Sequence, residues 1–185
     1  KPIIVTDNYY TAAQVEFAGI SQEVYTLDRD KAVRDGRITQ YELWNKDEAG
    51  LKVQNDRSVL YINEDSTLTV SDKHNLLRVM CERVDQINLV DELSLYNGEK
   101  TFSFYRANRL INGPSNRAQP CPFPPRAWID FPTEDDVLSG VMNVSGWAYN
   151  EDIGIESVEL IIGGAVVGKA NYGAPRPDVV AAMDI

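Results

Sequence analysis

The residues best suited to chemistry are three carboxylates in one short stretch, Asp28, Asp30 and Asp35, closed by Gly36. Calcium takes several hard oxygen ligands, and alternating carboxylates in a loop that turns at a glycine supply them. Arg29, Lys31 and Arg34 interleave with the acids and neutralise part of their charge. The same residues also read as a solvated acidic turn with local ion pairs. An EF-hand is excluded, because its ligand spacing and closing glutamate are absent. Two further acidic runs, Glu134-Asp135-Asp136 and Glu151-Asp152, sit where turns are expected and read first as turn chemistry. His74 is the single histidine, beside Asp72 and Lys73, with no second histidine or paired cysteine, and reads as a surface residue. Ser145 lies in Val-Ser-Gly-Trp, which is not a nucleophile elbow. No triad and no metal-ligand spacing emerges, so the sequence points away from an enzyme. Asn143-Val144-Ser145 matches a glycosylation acceptor, a motif common by chance.

The aromatics carry a second option. Exposed rings make sugar platforms, and Trp44, Tyr41 and Tyr61 are candidates. Their alternation with polar residues equally suits burial in a core. Trp128 and Trp147 are expected to fill the core of a second module. Cys81 and Cys121 have no zinc or redox spacing, which leaves a disulfide in an oxidising compartment or two buried thiols. The net charge of -10 argues against nucleic acid, whose phosphates require a basic face. It also opposes charge-driven docking on anionic lipid, and no apolar run is long enough to span a bilayer.

The elements that must hold these residues read as β. Lys1–Val5, Gln22–Leu27, Arg37–Trp44, Leu51–Val53, Ser58–Ile62 and Thr67–Val70 are expected strands, with Asp28–Gly36 an acidic loop between two of them. Tyr9–Phe17 suits strand or short helix. Ser71-Asp72 offers a cap for one or two helical turns to about Val79, since Leu76, Leu77 and Met80 recur at helical spacing. Leu93–Tyr96 and Thr101–Tyr105 flank Asn97-Gly98, which predicts a hairpin with a type I′ turn. Residues 112–125 are rich in proline and read as a semi-rigid linker between module 1–111 and module 126–185.

Several runs in the second module form an ordered series: Trp128–Pro132, Leu138-Ser139-Gly140, Val144–Ala148, Gly154–Glu159, Gly163–Gly168 and Tyr172–Asp178. In these, Pro125–Asp178 resembles bacterial immunoglobulin-like domains of secreted and cell-surface proteins. The resemblance implies a β-sandwich serving as spacer or interaction module. Such a sandwich needs about 100 residues and seven strands, so completion by a neighbouring chain or by further sequence is expected. More weakly, Asp28-Arg29-Asp30, Asp35-Gly36, Ile38–Trp44, Thr67–Val70 and Asp91–Gly98 are similar to cadherin-like modules of bacterial adhesins. The gap from Asp30 to Asp35 is wider than the acidic turn usual there.

The expectation is therefore an all-β chain of two β-sandwich-like modules, the second immunoglobulin-like and incomplete. Its expected function is a non-enzymatic structural, spacer or adhesive segment of an extracellular or surface-displayed bacterial protein. The expected partners are proteins, or further copies joined through exposed strand edges. The alternative is a carbohydrate-binding accessory module of a larger secreted hydrolase.

Overall fold

The computed structural model describes residues 1–111 and 119–183. It divides into two compact units, Lys1–Phe123 and Pro124–Ile185. With 29% of residues helical and 30% in strands, the chain is mixed α/β, which overturns the all-β expectation.

The first unit runs β1 (Ile3–Thr6), α1 (Tyr9–Phe17), β2 (Val24–Thr26), α2 (Arg29–Arg34), α3 (Ile38–Leu43), α4 (Glu48–Lys52), β3 (Val59–Glu64), α5 (Val70–Cys81), β4 (Ile87–Leu95) and β5 (Lys100–Ala107). Its five strands lie in the order β2-β1-β3-β5-β4. β1 is parallel to both neighbours, with Thr6 opposite Thr26 on one side and Ile62 on the other. β5 runs antiparallel to β3 and to β4. All four residues of β1 are buried, as a strand covered on both faces requires. On one face Ile3, Val5, Tyr61 and Val59 meet Leu51 of α4 and Leu77 and Met80 of α5. On the other, Ile4, Val24 and Ile62 meet Ala12 and Val15 of α1 and Tyr41 of α3. Helices thus cover both faces of the sheet, and neither unit is a β-sandwich.

The individual corrections have local causes. Within the expected strand Arg37–Trp44, Ile38–Leu43 is helical and buries only Tyr41, whose hydroxyl donates to the Tyr9 carbonyl at 2.8 Å. A seven-residue alternation cannot by itself separate strand from short helix. Asp28–Gly36 is mostly helix rather than loop: Asp28 caps α2 by accepting the Lys31 N–H at 2.8 Å. Leu51 and Lys52 end α4. Thr67–Val70 is the entry to α5, where Thr69 and Asp72 form a reciprocal capping box. The cap is therefore Thr69, two residues before the expected one. The β4–β5 hairpin forms as expected, with positive φ at Asn97 and Gly98. Leu95 pairs with Lys100, so the loop has four residues rather than two.

Residues 112–118 of the expected linker lie outside the described residues. Cys121 and Phe123, at its far end, are buried in the first unit's core. A disulfide joins Cys81 at the end of α5 to Cys121.

The second unit holds β6 (Arg126–Phe131), β7 (Ser145–Tyr149), β8 (Glu159–Ile162), β9 (Ala165–Lys169) and α6 (Pro177–Met183). β6 pairs with β7 and β8 with β9, as two separate two-stranded sheets instead of the expected immunoglobulin-like sandwich. Gly146 faces β6 so closely that a Cβ there would sit 2.2 Å from the Trp128 carbonyl oxygen. The segment after β9 folds back on this hairpin. Arg176 donates to Asp130 at 2.7 Å and to the Gly146 carbonyl at 3.2 Å, and Tyr172 donates to the Ala148 carbonyl at 3.3 Å. None of the described side chains of this unit is buried, and Trp128 is 66% exposed instead of filling a core.

Candidate functional site at the carboxyl ends of the parallel strands

β1, β2 and β3 all end at the same edge of the sheet, and each hands over there to polar residues. β1 continues into Asp7 and Asn8, β2 into Leu27 and Asp28, and β3 ends in Asn63 and Glu64. The crevice outside the carboxyl ends of parallel strands is where open α/β sheets place ligands. The ladder carries on past β1. Asp7 donates its N–H to the Ile62 carbonyl at 3.1 Å, which brings Asp7 alongside Asn63. By the alternation of the strands both lie on the face that carries Val5 and Tyr61.

Asn8 organises this edge. Its Oδ1 accepts the Thr11 N–H at 2.8 Å and starts α1, while its Nδ2 donates to Asp7 Oδ1 at 2.9 Å. The Thr6 hydroxyl donates to the Asn8 carbonyl at 2.8 Å. Glu64 is buried and receives Lys100 Nζ at 3.0 Å. Asp65 receives Lys73 Nζ at 3.1 Å and the Ser103 hydroxyl at 2.5 Å.

Against these satisfied groups stand several that are not. Asp7 Oδ2, both amide atoms of Asn63, the Tyr61 hydroxyl and the Thr26 hydroxyl are buried and make no hydrogen bond of normal geometry. Asp7 is 1% exposed and Asn63 0%. Burial pushes the Asp7 carboxyl up to about 6, against the pull of the Asn8 amide, the Glu64 backbone N–H and the Lys31 charge; the Glu64 carboxylate adds to the rise. Burial also holds the Tyr61 phenol well above its ordinary value. Natural folds pair nearly all such groups, so this concentration at three adjacent strand ends requires an explanation.

A chain of side chains crosses the same edge. Lys31 of α2 donates to the Tyr10 hydroxyl at 2.9 Å and also sits 4.4 Å from the centre of its ring. Tyr10, at the start of α1, reaches the Thr67 hydroxyl at 3.4 Å. Thr67 donates to the Glu64 carbonyl at 3.0 Å. This strap links the segments that follow β2, β1 and β3.

The residues singled out from sequence take other roles. Asp28 is a helix cap, Asp30 is exposed in the first turn of α2, and Asp35 closes the helix, bonded to Arg34 and to the Tyr9 hydroxyl at 3.0 Å. Arg34, then Tyr9, holds the Asp35 carboxyl below its ordinary range. Among the described residues no cluster of three or more His, Cys, Asp or Glu is placed to hold a metal ion, so the three aspartates do not converge. His74 is fully buried rather than on the surface, stacked on Phe123 with ring centres 4.8 Å apart. Tyr41 and Tyr61 are buried on opposite faces of the sheet and form no platform with Trp44. Ser145 is exposed on β7. In the sequence Thr6-Asp7-Asn8 has the composition of a turn, and Asn63 carries no motif that singles it out. The available signal was their position, immediately after the continuous apolar runs Ile3–Val5 and Val59–Ile62.

Comparison with protein-family models, with curated proteins and with solved structures finds no match for this chain.

Proposed function

We propose that this chain is a non-enzymatic interaction segment that works outside the reducing cytosol, and that its second unit completes its fold by accepting an extended strand from a protein partner. The observation that carries this is the absence of any buried side chain among the described residues of that unit. Its strands nonetheless present Trp128, Ile129, Phe131, Ile161, Ile162 and Val166. An isolated two-stranded hairpin is marginal in water, and an apolar sheet face with unpaired backbone at its edge recruits another strand. β6 pairs with β7 alone, and the edge away from β7 is the natural acceptor. Tyr172 and Arg176 already supply donors to β7 carbonyls.

Charge selects the partner. Residues 124–185 contain ten acidic side chains and three basic ones, which favours a basic strand and disfavours a second copy of the same unit. The Cys81–Cys121 disulfide supports an oxidising compartment, where such bonds persist.

The test is amide hydrogen exchange on the whole chain with two synthetic strands, one alternating lysine and valine, the other glutamate and valine. The basic strand is expected to protect β6 amides, less so at high salt, and the acidic strand to leave them unchanged. Equal protection by both, or by neither, would sink the proposal. So would β6 amides that are as protected in the free chain as those of β1. Light scattering alongside separates strand acceptance from self-association.

A further inference from the structure

We infer that the carboxyl edge of β1 and β3 is a closed binding site for a small uncharged molecule with adjacent hydroxyl groups, with Asp7 and Asn63 as its ligand-contacting residues and the Lys31–Tyr10–Thr67 strap as its cover. Three of the buried hydrogen-bonding positions set the ligand, Asp7 Oδ2, Asn63 Nδ2 and Asn63 Oδ1, while the Tyr61 hydroxyl on the same face lies close enough to the Asn63 amide to interact with it. The first and third accept, and the second donates. One hydroxyl donates to Asp7 Oδ2 while accepting from Asn63 Nδ2. Its neighbour on the adjacent carbon donates to Asn63 Oδ1. Two vicinal hydroxyls therefore satisfy all three positions, which a monofunctional amine or carboxylate does not.

Charge narrows the choice further. An anion would meet Asp7 and the buried Glu64, while a cation would compete with Lys31, which lies close enough to Asp7 to influence it. The remaining acids are taken, Glu64 by Lys100 and Asp65 by Lys73. A neutral polyol or sugar meets neither obstacle.

The strap passes this edge, since Lys31 lies close enough to Asp7 for their charges to interact. Tyr10 and Lys31 are half-buried and Thr67 is exposed, and each is held to the next by a single hydrogen bond between side chains. These joints break at small cost, unlike the ladder bonds of the strands beneath them. Admission of a ligand needs movement of these side chains and leaves the sheet as it is. The unpaired groups beneath remain poised in the closed form, at a cost that a ligand offsets on entry.

The site is tested by titrating the 15N-labelled whole chain with myo-inositol and with D-glucose, using 1,2-dimethoxyethane as an ether control that cannot donate. The polyols are expected to give saturable shifts at the amides of Asp7, Asn8, Asn63 and Glu64, and the ether none. Asn63→Ala is expected to abolish saturation. Because that variant removes a buried group, Tyr10→Phe provides the second arm. It loses the hydroxyl that joins both halves of the strap, leaves the strands intact, and is expected to bind the polyol about 5- to 10-fold more tightly. A purely structural polar knot, bridged by internal water, predicts no saturable shift in either protein, and that result overturns the site. Saturable binding that Tyr10→Phe does not tighten overturns the cover.

Discussion

At the scale of the residue, Asp7 governs how the first unit responds to pH. Its carboxyl is held at about 6 in the folded chain, mainly by burial, against an ordinary value of 3.8. Between those values the folded state binds more protons than the unfolded one, so stability falls as pH rises. The favourable contribution of the protonated acid is complete below about pH 4 and lost as pH passes about 6. Converted at the usual rate, the difference is about 3 kcal/mol. Asp7→Asn keeps the size and the Asn8 contact without the charge. The variant is expected to be more stable than the parent at pH 7.5, by up to about 3 kcal/mol, and to lose that advantage at pH 4. Urea unfolding at the two pH values measures it, and an advantage that does not change with pH would contradict the assignment. The same residue shows why the site was hard to read. Threonine, aspartate and asparagine in a row signal a turn in any fold, and only the parallel pairing of β1 with β3 makes Asp7 a buried neighbour of Asn63.

At the scale of the element, the strands were legible and the short helices were not. Ile3–Val5 and Val59–Ile62 are continuous apolar runs, and they became the buried centre of the sheet. The β4–β5 hairpin followed from Asn97-Gly98. By contrast α2, α3 and α4 have five or six residues each, and each buries only one or two of its own side chains. With no apolar stripe, their sequences resemble loops and alternating strands. These helices are fixed by contacts, and Gly50 of α4 shows how tightly. A Cβ at Gly50 would stand 1.8 Å from the carbonyl oxygen of Asn45 and 2.4 Å from its carbonyl carbon. Both are backbone atoms of a turn whose next residue, Lys46, accepts the Thr26 N–H of β2 at 2.9 Å. Gly50→Ala must therefore push α4 away from the sheet edge, despite alanine's better helix propensity. A loss of about 2–3 kcal/mol is expected, the range for overpacking a buried position. The neighbouring exposed Ala49→Gly is expected to lose no more than about 1 kcal/mol, through propensity alone. Urea midpoints of the two variants decide it, and equal losses would mean the Asn45 turn yields freely.

At the scale of the whole molecule, the Cys81–Cys121 bond ties the end of α5 to the chain that returns after the β4–β5 hairpin, across forty residues. Both cysteines are buried, Cys121 beside Leu77 and Met80, so the bond closes the first unit around its own core. Constraint of a loop this long in the unfolded chain contributes about 4 kcal/mol on the chain-entropy account. The chain has two cysteines, so reduction breaks this bond and no other. Dithiothreitol is expected to lower the first unit's unfolding free energy by about 3–4 kcal/mol, and the Cys81→Ala/Cys121→Ala variant to reproduce most of that loss without reductant. The decisive readout is where the loss appears. Hydrogen exchange should quicken across β1, β3 and α5, because these share the cross-linked core. Exchange in β6 to β9 should stay as it was, because no side chain there is buried and no cysteine lies among them. Faster exchange in both units together would mean that they unfold as one body, and that the second unit draws its stability from the first instead of from a partner strand.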